Sequence, residues 1–183
     1  MRIISGRFKG RKLFTPENLS IRPTSDKARE AVFSIIGPKI ENACILDLFA
    51  GTGAFGIEGI SRGARQAFFV DSSDQAVATI RKNIGLFGIE NQVVAIEGRI
   101  PDVFKRSEFS GQSFDIIFRD SPYDADHFTA TLENENFLSF VTDTTLVIAE
   151  HPLSRKEFEL SGHLEMIDRR KYGKTLISFF RKP

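Results

Sequence analysis

The chain has 183 residues, 41% hydrophobic and 27% charged, with a formal net charge of +1. That balance describes an ordinary globular domain with one substantial core and excludes a disordered or fibrous chain. A single cysteine, Cys44, excludes an internal disulfide, and no apolar run approaches the ~20 residues of a membrane-spanning helix.

Met1 to Gly6 lack the apolar centre of a secretory signal. A cytoplasmic, reducing location is therefore expected, with Cys44 packing as a small hydrophobe. The charge is unevenly distributed. Arg2, Arg7, Lys9, Arg11 and Lys12 occupy the start without an acid, and Arg169, Arg170, Lys171, Lys174, Arg181 and Lys182 crowd the end beside Asp168 alone. If these ends meet they form a basic patch able to contact phosphates; otherwise they are two solvated termini.

In chain order, residues 2–14 alternate loosely around turn candidates at Gly6 and Gly10 and suit a small β-hairpin arm. Pro16 and Pro23 bracket a loop, and Thr24, Ser25 and Asp26 supply possible caps for a helix. That helix carries Ala28, Ala31, Val32, Ile35 and Ile36 on one stripe and stops at Gly37-Pro38. Strands are predicted at 44–48, 66–71, 92–97, 114–119 and 145–150, with helices at 54–62 and 74–87. In the latter, Val77, Ile80, Ile84 and Phe87 line one face, with Ser73 as cap and Gly88 as stop. Short helices are expected within 99–107 and 125–140. Apolar strands alternating with helices imply a parallel sheet covered on both faces. Residues 163–170 and 174–181, joined by Lys171-Tyr172-Gly173, leave no room for a crossover helix and should pair antiparallel.

Two motifs carry chemistry. Gly51-Thr52-Gly53-Ala54-Phe55-Gly56 follows the first strand and opens a helix, and Asp71 ends the next strand. Such a loop brings backbone N–H groups close to a ligand, while an acid at that distance can bind ribose hydroxyls. The pattern alone suits NAD and S-adenosylmethionine equally. Asp47, just before the turn, favours the latter, because a carboxylate suits an ammonium and a sulfonium better than a pyrophosphate. Asp120-Ser121-Pro122-Tyr123 follows the fourth strand. There Asp120 and a neighbouring carbonyl could accept from a planar amine and free its lone pair, with Tyr123 stacked on the base that presents it. His127, His151 and His163 show no metal spacing and are expected at the surface or in loops. No metal site is expected.

The chain resembles the bacterial 16S rRNA guanine-N2 methyltransferases of the RsmD family over nearly its whole length. The resemblance rests on Arg2-Ile3-Ile4-Ser5-Gly6, Lys9-Gly10-Arg11-Lys12-Leu13, Arg22-Pro23-Thr24, Arg29-Glu30-Ala31-Val32-Phe33, Asp47-Leu48-Phe49-Ala50-Gly51-Thr52-Gly53, Gly56-Ile57-Glu58, Ser61-Arg62-Gly63-Ala64 and Tyr172-Gly173-Lys174-Thr175. It implies an α/β fold: a Rossmann-like methyltransferase with a mostly parallel seven-stranded sheet, an antiparallel C-terminal hairpin and an N-terminal arm. The arm would span 1–24 and the S-adenosylmethionine-dependent methyltransferase domain 25–183. It also implies catalysis by Asp120, Ser121, Pro122 and Tyr123, and a cofactor held by Asp47, Phe49, Ala50, Gly51, Thr52, Gly53, Asp71, Ser72, Arg22 and Thr24, with Arg29 near the cofactor carboxylate or an RNA phosphate. The expected partner is 16S rRNA or a partly assembled small ribosomal subunit, met by a monomer away from any membrane.

Two positions depart from the family pattern. Ser121 stands where a first proline is usual, loosening the loop by about 0.4–1 kcal/mol. Arg99 stands where an acid commonly accepts from the cofactor's adenine amine, and it cannot accept a hydrogen bond. Adenine N6 methylation in DNA or RNA is the nearest alternative. A non-catalytic RNA-binding or assembly protein with a decayed site, and a nicotinamide-dependent oxidoreductase, are the others.

Overall fold

A computed structural model describes residues 1–16, 26–120, 125–153 and 162–183. Among these, β1 (Cys44–Leu48), β2 (Gln66–Asp71), β3 (Val93–Glu97), β4 (Ile116–Asp120) and β5 (Leu146–Pro152) run parallel. β6 (Glu165–Tyr172) and β7 (Thr175–Arg181) complete the sheet as an antiparallel pair, giving the order β3-β2-β1-β4-β5-β7-β6. The parallel sheet and closing hairpin agree with the sequence reading.

Strand alternation divides the core in two. Ile45, Ala67, Phe69, Ile116, Phe118, Ile148, Ile177 and Phe179 face α1 (Asp26–Ile36), α2 (Ala54–Ser61) and α3 (Asp74–Phe87). Leu46, Leu48, Phe68, Val70, Ile117, Val147 and Phe180 face a phenylalanine-rich layer that includes Phe104, Phe109, Phe137 and Phe140, with α4 (Ala125–Leu132) and α5 (Glu135–Ser139). Burial on both faces explains why β1 is apolar at four of its five positions.

The helix boundaries follow local chemistry. Ser73 Oγ accepts from Ala76 N at 3.3 Å to open α3, and Gly88 closes it at φ 64°. β4 begins two residues later than the hydrophobic run predicts; just ahead of it, Asp115 N donates to Cys44 O at 2.9 Å and Asp115 Oδ2 accepts from Cys44 N at 2.7 Å. β5 extends beyond 150 because His151 and Pro152 pair with Leu176 and Thr175. Lys171 and Tyr172 belong to β6, leaving Gly173 and Lys174 as the tight turn.

His151 corrects the expectation of an incidental histidine. It is buried in β5 and its Nε2 lies 2.9 Å from Ser178 Oγ of β7. Strand β5 runs two residues past the parallel ladder to meet β7, and this carries His151 inside. His163 is exposed. Nothing is described of the His127 side chain.

The arm is a hairpin with one bridge, Arg2 to Lys12, and hydrogen bonds from Ile3 N to Arg11 O at 3.0 Å and from Gly10 N to Ile3 O at 2.9 Å. It buries Ile3 and Leu13 in the core. A Cβ on Gly6 would sit 1.9 Å from Ser61 O, so only glycine allows that approach. The two basic ends do not meet. Arg7 bonds Gln92 beside the β3 edge, whereas the C-terminal hairpin forms the opposite edge of the sheet.

Candidate active site

In the order β3-β2-β1-β4-β5, the parallel strands are added to one side of β1 and then, from β4, to the other, and open α/β sheets bind ligands in the crevice at that switch point. The loop after β1 lies there. Phe49 adopts φ 60°, rare for a non-glycine residue, followed by Gly51 at 57° and Gly53 at 76°. Ala50 N donates to Val70 O at 3.0 Å, Gly53 N to Ala50 O at 2.7 Å, and Gly51 N to Asp71 Oδ2 at 2.9 Å. Asn83 Nδ2 of α3 donates to Thr52 O at 2.9 Å. Gly56 lets α2 rest on the sheet: a Cβ there would stand 2.3 Å from the Phe69 ring.

The register aligns Asp47 with Phe118 of β4 and Phe69 of β2. Asp71 and Asp120 each lie two residues further along their strands, so alternation turns all three carboxylates to the α2 side of the carboxyl edge. Asp47 is 2% exposed, and its Oδ2 accepts from Gly56 N at 3.0 Å at the start of α2. Burial raises its pKa well above the ordinary carboxylate range; the Gly56 bond opposes this, and the charges of Asp120 and Asp71 add to it. Asp71 is half-buried and also accepts from Ser73 N at 2.9 Å.

A cleft of about 430 Å³, counted to its open mouth, joins these groups. Asp47, Phe49, Ala50, Gly51, Thr52 and Asp120 line it, with Met1, Arg29, Ala54, Phe55 and Phe118. Its floor is a ring stack: Phe118 lies 3.8 Å from Phe55, which lies 4.7 Å from Phe33. Gly53 and Asp71 adjoin the cleft through the loop, and Ser72 is exposed beside Asp71. Arg22, Thr24, Ser121, Pro122 and Tyr123 lie outside the described residues. Among the described residues, no group of three or more His, Cys, Asp or Glu could hold a metal.

Sequence reasoning passed over two participants. Met1 reaches the cleft, where its Sδ accepts from Thr52 Oγ1 at 3.5 Å. Glu58, fully buried on α2, accepts from Ile4 N at 2.8 Å, Ser5 N at 3.0 Å and Arg62 Nε at 2.7 Å, and lies 3.8 Å from Arg29 Nε. Its signals were its place in the Gly56-Ile57-Glu58 segment of the family resemblance and a lone charge within the otherwise uncharged helix AFGIEGIS. Arg29 is 1% exposed, lines the cleft, and donates to Arg2 O at 2.6 Å and Asp26 Oδ1 at 3.0 Å. Burial lowers its pKa, opposed by Glu58 and Asp26.

The donor set fits S-adenosylmethionine. Asp47 and Asp120 on the cleft wall, with Asp71 adjoining on the same side, suit a cationic ligand and disfavour a pyrophosphate. The fold is that of the Rossmann-like, S-adenosylmethionine-dependent methyltransferases. The family described as "Conserved hypothetical protein 95" matches residues 1–181, and the chain belongs to it, the RsmD family.

The relatives agree. The protein named "Putative rRNA methyltransferase YlbH" of Bacillus subtilis is 32% identical over 182 residues, covering 100% of this chain and 99% of the relative. "Ribosomal RNA small subunit methyltransferase D" of Escherichia coli K12 is 30% identical over 150 residues, covering 82% and 74% respectively. The solved structure named "Putative methyltransferase yhhF from Escherichia coli" superposes with a TM-score of 0.84 at 25% identity, covering 100% of this chain and 97% of that one.

Proposed function

We propose that the chain methylates the exocyclic N2 amine of a guanine in 16S rRNA. The observation that carries this reading is the convergence of Asp47, the Gly51–Gly53 loop and Asp120 on one cleft at the sheet's switch point. S-adenosylmethionine, when bound, supplies an electrophilic methyl group on a cationic sulfur. Asp47, Phe49, Ala50, Gly51, Thr52, Gly53, Asp71 and Ser72 would hold it, with Arg22 and Thr24 on its carboxylate side.

Asp120 ends β4 at the cleft and is half-buried. Its carboxylate accepts from the amine N–H groups and turns the nitrogen lone pair outward, and the Ser121 carbonyl completes the pair of acceptors. Pro122 belongs to the same proposed catalytic tetrapeptide, and Tyr123 would stack on the base. The substrate is naked 16S rRNA or a partly assembled small subunit, met by a monomeric cytoplasmic protein.

Asp120→Ala is expected to lower kcat by about 100-fold or more while the affinity for S-adenosylmethionine holds. The assay transfers labelled methyl to small subunits from a strain lacking the protein, followed by nucleoside analysis. Label in N2-methylguanosine supports the reading; label in N6-methyladenosine, or loss of cofactor binding in the variant, overturns it.

A further inference from the structure

A second groove lies at the other end of the sheet, on residues that the catalytic reading does not use. Asn42 precedes β1, Arg65 immediately precedes β2 and Gln92 immediately precedes β3, so the groove opens at the amino edge. At ~3.3 Å per residue, strands of this length set it on the order of 17–20 Å from the cleft. Counted to its open mouth it measures about 900 Å³, and three of its nine lining residues are Arg7, Arg62 and Arg65.

Two of these guanidinium groups are held in fixed planes. Arg7 lies over the Phe8 ring at 4.6 Å and donates to Gln92 Oε1; Arg62 lies over Phe33 at 4.7 Å and bonds Glu58. Arg11 continues the row along the arm, stacked on Phe8 and Phe87 at 5.3 and 4.5 Å. Arg7 N donates to Ser61 O at 2.8 Å, which locks the arm to this wall. Glu58 is buried and already engaged, leaving the exposed Glu41 and Glu90 as the acids near the rim.

We propose that this groove binds the phosphate backbone of the rRNA substrate, as an anchor distant from the modified base. Planar guanidiniums fixed by ring stacking present their remaining N–H donors as forks matched to phosphate oxygens. The lining offers no exposed aromatic or large apolar anchor, which a protein partner of comparable size requires. The proposal rests on the rRNA reading above and adds where the RNA is gripped.

The test uses the double variant Arg7→Gln, Arg65→Gln, both exposed residues, in the full chain. Binding to naked 16S rRNA is measured across a salt series, beside methylation kinetics and S-adenosylmethionine titration. Affinity for rRNA should fall about 5- to 10-fold near 0.1 M salt, and the slope of log K against log salt should shrink by about 0.7–0.9 for each phosphate lost. The KM for RNA should rise correspondingly, with cofactor affinity and thermal midpoint held. An unchanged salt slope overturns the proposal. So does a loss of affinity confined to assembled subunits, which would assign the groove to a ribosomal protein. If the parent protein binds rRNA with an arginine-dependent slope yet forms no N2-methylguanosine, the functional reading fails and the groove stands.

Discussion

Asp47 holds the start of α2 through Gly56 N and lines the cleft with the same carboxylate. Its raised pKa means that the folded state holds the proton more tightly than the unfolded chain. Stability from protonated Asp47 is therefore present below the ordinary carboxylate range and lost as pH rises through the raised value. Asp47→Asn keeps an oxygen for Gly56 N–H and removes the charge. Its thermal midpoint should exceed the parent's at about pH 8, and the gap should close towards about pH 4. The same variant should bind S-adenosylmethionine about 10-fold more weakly, the loss of roughly 1.4 kcal/mol of charge attraction. Calorimetry with and without cofactor reads both effects. The position of Asp47 was legible in the strand-and-glycine pattern, but its proton affinity was not, because that depends on burial under a helix and on two acids from other strands.

At the level of elements, the arm is pinned at three places along its length. Glu58 accepts from Ile4 N and Ser5 N; Ser61 Oγ accepts from Phe8 N at 3.0 Å and donates to Ser5 O at 2.6 Å. Asn83, fully buried, pairs with Phe14 N at 2.7 Å and Phe14 O at 3.1 Å while also holding Thr52 of the glycine loop. Arm and glycine loop thus share α2 and α3 as a common frame. Glu58→Ala would leave Arg29 and Arg62 without their buried anion, a loss of about 3–5 kcal/mol. Limited trypsin digestion should then cut the variant between Arg7 and Lys12 well before the parent. Cleavage at equal rates would show that Glu58 does not hold the arm. Alternation and turn glycines made a hairpin legible in residues 2–14, but its docking partner lies more than forty residues away and left no local signature.

Across the whole molecule, protection should follow sheet position. β1 and β4 are flanked by strands on both sides and covered on both faces, whereas β6 is an edge strand with exposed Met166 and Ile167 and an irregular register between Met166 and Asp168. Hydrogen exchange should be slowest in β1, β2 and β4 and fastest in β6. An equally protected β6 would indicate that a partner covers that edge. Ile45→Ala, within β1 and fully buried, should lower stability by about 2–5 kcal/mol in denaturant titration.

The sequence by itself determined the elements, the strand-to-glycine-loop junction and the carboxyl-end placement of Asp47, Asp71 and Asp120. Period, cap and turn are local signals, and a parallel βαβ chain can place those residues only at strand ends. Tertiary structure alone decided that Asp47, Asp71 and Asp120 turn to the same side, that His151 is interior, and that Glu58 ties arm to helix. It also separated the two basic ends to opposite edges of the sheet. These outcomes depend on strand order and on which helices cover which face. Contacts between residues distant along the chain settle both, and no window of neighbouring residues records them.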